Sequence, residues 1–224
     1  MGETHIIRRR AGRPRRITLK EVIDAACEIG LDRVEMVAIA QKLSVGVATL
    51  YGYVRDREHL IQLVATRLAM RRVVEDRGQS WEDALREFAQ SSYDLFCTWP
   101  ELITLLIDGM LGDVIDSEYS NAILGLLIAR GIPPAEASML FFRTSQAVTG
   151  AAVSQAYYRN LLCKAGSEAA LLGHIRGAGA KNGYGALQQC IDAAGIEGMA
   201  MGYQSVLDGL IADQKEKTDG SGGR

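Results

Sequence analysis

Residues 35–54 carry two short apolar-periodic segments separated by a break, and no other stretch restricts the fold as tightly. Met36, Ile39, Ala40 and Leu43 recur at i, i+3, i+4 and i+7, which predicts a helix from about Glu35 to Leu43 with one buried face. Ser44-Val45-Gly46 interrupts it. A third helix is predicted over Val47–Val54, with Leu50 and Val54 turned inward. Isolated helices below ~12–15 residues are marginal in water, so these two must pack against a neighbour. Thr18 and Glu21 supply the start of that neighbour, because T-x-x-E is capping-box spacing. Leu19, Val22, Ile23 and Ala26 give it an apolar stripe, and Gly30 is a natural stop. Asp56 stands where it can cap a fourth helix bearing Leu60, Ile61, Val64 and Leu68. The result is a compact three-helix head. Two brief helices joined by a three-residue turn containing glycine form the helix-turn-helix signature.

The remainder of the 224 residues holds few prolines and long apolar-periodic runs, so the expected class is all-α. Ser80 is placed to cap a helix from Trp81 to about Thr98, and Trp99-Pro100 breaks it. Further helices are predicted from Pro100 to about Leu111, from Ser117 to Arg130, from Pro133-Pro134 to about Leu162, and from Ile196 to Lys215. "GAGAKNGYG" (177–185) reads as a loop. The expected organisation is a flexible basic arm (1–16), a helix-turn-helix head (17–63), a larger antiparallel helical body (64–216) and a disordered tail (217–224).

Net charge is −2, but it is unevenly placed. Residues 1–60 hold eleven Lys/Arg against eight acids, and the remainder holds fourteen against nineteen. A basic end on an acidic body suits either a polyanion partner or a solvated tail. The four cysteines, at 27, 97, 163 and 190, show no C-x-x-C spacing and read as reduced core residues. No signal-peptide core follows the first arginines, and no uncharged apolar run is long enough for a membrane span, so a cytoplasmic protein is expected. Histidines 5, 59 and 174 are scattered, so neither a metal site nor a cofactor is indicated. No G-x-S-x-G elbow, phosphate loop or dinucleotide fingerprint occurs, and no catalytic residue is assigned.

A recognition helix brings its backbone close to base edges in a groove about 12 Å wide. Small residues permit that approach. Thr49 offers a hydroxyl, and Val47 and Ala48 offer methyl contact to thymine. Tyr51 and Tyr53 lie where phenolic hydroxyls can bond phosphates, and Arg55 and Arg57 follow. A short helix of small residues is equally at home packed tightly in a core, so spacing alone leaves both readings open.

At this point the sequence resembles a known family. Residues 17–64, with the capped opening helix, Ala40-x-x-Leu43, Val45, Thr49-Leu50-Tyr51, Val54 and Leu60 in order without gaps, are similar to the N-terminal domain of the TetR (tetracycline-repressor) family of transcription regulators. The resemblance implies a homodimeric repressor that binds a palindromic DNA operator and is released by a small molecule held in a variable body. Position by position it implies DNA contacts at Val47, Ala48, Thr49, Tyr51 and Tyr53, and a phosphate contact at Arg57. Glu35 stands where a small hydroxyl residue often caps the second helix, and Val37 where an arginine often meets DNA. "AGRPRR" resembles the core of minor-groove hooks, which makes Arg13, Arg15 and Arg16 candidates for a narrow minor groove.

In the body, the small-sided stretch "TGAAVSQA" (149–156) and the stripe Met199, Tyr203, Val206, Leu207 and Leu210 are candidate dimer surfaces, unless they pack within one subunit. Phe96, Trp99, Ile103, Ile107 and Met110 around the Trp-Pro break, with Phe142, Gln146 and Thr149 on the long helix, are the candidate lining of a pocket for a hydrophobic small molecule. An ordinary filled core would use the same residues. The rival to the regulator is a helical small-molecule-binding or protein-interaction module without sequence-specific DNA binding, with a helical enzyme behind it.

Overall fold

A computed structural model of the chain describes residues 17–109, 119–182 and 202–221. Among the described residues it is all-helical, with ten α-helices and no strand. The chain divides into two compact units, Met1–Val64 and Ala65–Arg224. The basic arm with Arg13, Arg15 and Arg16 lies outside the described residues, as do Met110 and Met199.

In the first unit, α1 (Leu19–Ile29) opens on a complete capping box. The Glu21 N–H donates to Thr18 Oγ1 (3.2 Å), and the Thr18 N–H donates to Glu21 Oε2 (2.8 Å). Two of the N–H groups orphaned at the helix start are satisfied reciprocally. Gly30 ends α1 with φ of +97°, a region that disfavours any Cβ, and a 3₁₀ turn (Leu31–Arg33) follows. Helix α2 (Met36–Leu43) starts at Glu35, whose side chain makes no capping bond. Helix α3 (Val47–Leu50) is a single turn. Ile17, Val22, Ala26, Val34, Ile39, Leu50, Val54, Leu60 and Val64 are buried and form the apolar side of this unit.

The corner between α2 and α3 is made differently from the expectation. Ser44, not glycine, takes the left-handed conformation (φ 54°) that ends α2, and Gly46 has an ordinary φ of −74°. The predicted third helix, Val47–Val54, keeps regular form only to Leu50. Beyond it the bonds tighten: the Gly52 N–H donates to the Thr49 carbonyl (3.2 Å) and the Tyr53 N–H to the Leu50 carbonyl (2.9 Å). A Cβ on Gly52 would stand 3.3 Å from the Thr49 carbonyl oxygen, so the tight turn favours glycine there. Helix α4 (Arg57–Met70) begins behind Asp56, whose Oδ1 accepts the His59 N–H (2.7 Å).

The second unit is built on α5 (Trp81–Thr98), α6 (Glu101–Ile107), α7 (Ser120–Ala129), the long α8 (Pro134–Ala165), α9 (Glu168–Asn182) and α10 (Tyr203–Ser221). Ser80 caps α5 by accepting the Asp83 N–H (3.1 Å). Helix α8 packs against α5, α7, α9 and α10 and forms the spine of the unit. Its core gathers Leu85, Phe88, Tyr93, Ile123, Leu127, Leu140 and Val148. Tyr203 and Leu207 on α10 are buried in the same core, and the Tyr203 ring lies 4.9 Å from that of Tyr93. Part of the stripe considered as a dimer surface is therefore covered within the chain, while Val206 stays 49% exposed. Helix α9, which the apolar periodicity does not reveal, takes in Gly177–Asn182, where a loop is expected. Ser167 caps it by accepting the Ala170 N–H. Helix α10 runs past Lys215 to Ser221, into the expected tail. Cys163 is exposed rather than buried, and Cys190 lies outside the described residues.

Candidate DNA-binding face and ligand cavity

Helix α3 separates its side chains sharply by environment. Leu50 is fully buried and anchors the turn, whereas Ala48 and Thr49 are exposed and Val47 is half-buried. Tyr51 follows at 54% exposure. Small groups thus lie at the surface of a helix fixed from behind, which is what close approach to base edges demands. Tyr53 is different. Its hydroxyl donates to the Ile17 carbonyl, so its single proton is committed to the entry of α1. A phosphate oxygen only accepts, so Tyr53 has no donor for it in this arrangement. Arg57 donates from Nε to the Val34 carbonyl (2.6 Å), which ties the start of α4 to the chain before α2. Its terminal N–H groups are the ones suited to an anion beside a helix start.

In the second unit, the C-terminal part of α4 with α5, α6, α7 and α8 lines a partly open cavity of about 630 Å³. Phe88, Ser92, Leu95 and Phe96 reach it from α5, Leu102 and Leu106 from α6, and Phe141, Phe142, Ser145, Val148 and Thr149 from α8. Tyr119, Ser120, Asn121 and Leu124 complete the described lining, none of which is charged. Of the sequence candidates, Phe96, Phe142 and Thr149 line it. Ile103 packs in the core instead, and Ile107 is 77% exposed. On α6 the cavity stripe is Leu102–Leu106, one position round from Ile103–Ile107, so the periodicity is right and its phase is wrong. Gln146 is exposed outside the lining on α8, and half-buried Trp99 caps the end of α5. Phe88, Tyr119 and Phe141 form a tilted ring cluster with centroids 5.5–5.7 Å apart around Phe88. Burial pushes the Tyr119 phenol pKa up, which keeps it neutral.

No protein-family profile matches the sequence, and no curated protein does. Solved structures do match. The TetR family protein ActR from Streptomyces coelicolor, in complex with actinorhodin, superposes with a TM-score of 0.64 at 22% identity, covering 89% of this chain and 99% of ActR. The fold is that of the TetR-family regulators. A point variant of TetR from Acinetobacter baumannii AYE, in complex with minocycline, gives 0.57 at 19% identity over 90% of this chain and 98% of that one. The TetR regulator SCO7222 from Streptomyces coelicolor gives 0.60 at 20% identity, with 88% and 98% covered. The TetR-type fold places the head and the cavity in separate units of one chain. Among the described residues, no cluster of His, Cys, Asp or Glu is arranged to hold a metal, and no helix is long and apolar enough to cross a membrane.

Proposed function

We propose that this chain is a ligand-responsive, DNA-binding transcriptional regulator of the TetR type. It acts as a homodimer, and a small apolar molecule in the body cavity releases it from its operator. One observation carries the DNA reading: α3 exposes Ala48 and Thr49 while Leu50 is buried behind them. Thr49, Ala48 and Val47 read bases, Tyr51 and Arg57 hold phosphates, and Arg13, Arg15 and Arg16 follow the adjacent minor groove. Tyr53 supports this face by fixing the start of α1. The dimer face draws on exposed apolar groups of the body, among them Val153 and Tyr157 on α8 and Val206 on α10. The ligand acts by population shift, binding the DNA-competent and incompetent forms unequally. A cytoplasmic location fits this role.

Selection of bound sequences from random double-stranded DNA tests the reading. The expected product is a palindrome whose half-site centres lie about 10 base pairs, or a multiple, apart. Enrichment of no sequence, at low and moderate salt, overturns DNA recognition and leaves a helical small-molecule-binding module.

A further inference from the structure

Helix α3 turns methyl groups outward and little else. Ala48 and Thr49 are exposed, Val47 is half-buried, and Leu50 is fully buried behind them. From Gly46 to Tyr51 the sequence holds no arginine, lysine, asparagine or glutamine. Those are the side chains that pair bidentately with guanine or adenine edges in the major groove. Several neighbouring donors are committed elsewhere. The Lys42 ammonium lies 2.7 Å from Glu28 Oε2, the Tyr53 proton goes to the Ile17 carbonyl, and Arg57 Nε donates to the Val34 carbonyl. Thr49 brings the one hydroxyl of the helix, and a hydroxyl both donates and accepts, so it does not by itself choose between bases. What remains selective is apolar contact. The apolar group that a base edge presents in the major groove is the C5-methyl of a pyrimidine.

We propose that α3 reads the 5-methyl group of pyrimidines as its main major-groove signal, and therefore accepts 5-methylcytosine in the place of thymine. The two bases carry the methyl at the same ring position. They differ at C4, where thymine presents an acceptor oxygen and cytosine an amino donor. Thr49 satisfies either one, donating to the oxygen or accepting from the amino group. Operator affinity thus responds to methylation of a cytosine placed in the half-site. This deepens the DNA-binding reading and rests on it, since it names the chemical group on DNA that the head selects.

The test uses the full chain and the operator obtained by selection, with fluorescence anisotropy as the readout. At each thymine of the half-site in turn, and symmetrically in its mate, four duplexes carry thymine, uracil, cytosine or 5-methylcytosine, each opposite its proper partner. At one position or more, thymine to uracil should weaken binding about fourfold per half-site, the effect of one buried methyl, and so about 15-fold for both. Changing 5-methylcytosine to cytosine there should cost the same factor, because the same methyl is lost, and 5-methylcytosine should bind more tightly than uracil. Ala48→Gly, with Val47→Ala as the second variant, should shrink the thymine-to-uracil ratio. Misfolded protein does not alter that ratio, since it is common to both measurements. Substituting 7-deaza purines, one position at a time, removes the N7 acceptors that exposed Gln41 or Arg55 needs for bidentate pairing, and should cost less than removing the methyl. A thymine-to-uracil ratio near one at every position, a methyl effect on thymine without one on cytosine, or a larger loss with a deaza purine overturns the inference and leaves DNA recognition standing. Failure to select any operator removes the DNA reading itself, and the inference with it.

Discussion

Substituting Ala48 and Leu50, two positions apart on one turn of helix, should produce opposite failures. Ala48 is exposed on α3, so a glutamate there meets no neighbour and should change stability by no more than about 0.5 kcal/mol. Against DNA the same carboxylate is carried to base edges and phosphates. Like-charge juxtaposition costs several kcal/mol, so operator affinity should fall by more than about a hundredfold. Leu50 is 0% exposed. Leu50→Ala removes three buried carbon groups at about 0.8 kcal/mol each, and the cavity left behind adds to that. The expected loss is about 3 kcal/mol, within the measured span of buried leucine truncations. A helix of one turn has little else to hold it, since Val47 is only half-buried. Urea unfolding followed by far-UV circular dichroism reads the first quantity, and fluorescence anisotropy with the selected operator reads the second. Ala48→Glu melting like Leu50→Ala, or binding the operator like the parent, would refute the assignment of the two faces.

Replacing Arg13, Arg15 and Arg16 by glutamine should flatten the log–log salt dependence of operator binding, by about 0.9 for each phosphate no longer neutralised and so by about 2.7 for all three. An unchanged slope removes the arm from the interface. Thr18→Ala breaks the capping box at α1 and should cost about 1 kcal/mol in the same urea assay, with Thr18→Ser recovering most of it. Arg130 bonds Asp76 and the Gln79 carbonyl, and its hydrogen bond holds the Asp76 pKa below the ordinary carboxylate value. A depressed folded pKa means stability present above the unfolded pKa and lost as pH falls through the folded one. The stability difference between the parent and Arg130→Met should therefore be level near neutrality and shrink below about pH 4. Because the pair is open to solvent, the difference should be small and salt-sensitive. Val206→Asp places a charge on an exposed apolar position of α10 and should shift sedimentation from dimer to monomer if that face is the interface.

Local signals make the head legible. Thr18 with Glu21, Gly30 and Asp56 each act within one turn, and each does in the structure what its spacing implies. Helix α5 runs from Trp81 to Thr98, as Ser80 and the Trp-Pro break predict. The errors share a cause in tertiary contacts. The polar neighbours of Tyr53 suggest a phosphate donor, but its partner, Ile17, is 36 residues away. Within the predicted break it is Ser44 that takes the left-handed conformation, held where the Val45 N–H donates to the Ala40 carbonyl (3.0 Å). Helix α9 is hidden because its apolar residues form no single stripe and its glycines lower helix propensity, which argues for a loop.

The cavity shows most clearly what periodicity leaves undetermined. A stripe at i, i+4 names residues that face something apolar, and a packed core and a hollow one look the same to it. Leu102 and Leu106 differ from Ile103 and Ile107 by one position, about 100° of helix, and that rotation separates cavity wall from core and solvent. A molecule bound in this apolar space of about 630 Å³ would stabilise the folded chain by RT ln(1 + [L]/Kd). That stabilisation raises the melting temperature whether or not DNA is involved. Release from DNA requires the further condition that the ligand prefer one form of the chain over the other. The two effects are separable. A ligand that stabilises the body and leaves the operator bound would mean that the cavity serves storage or sensing by some route other than the head.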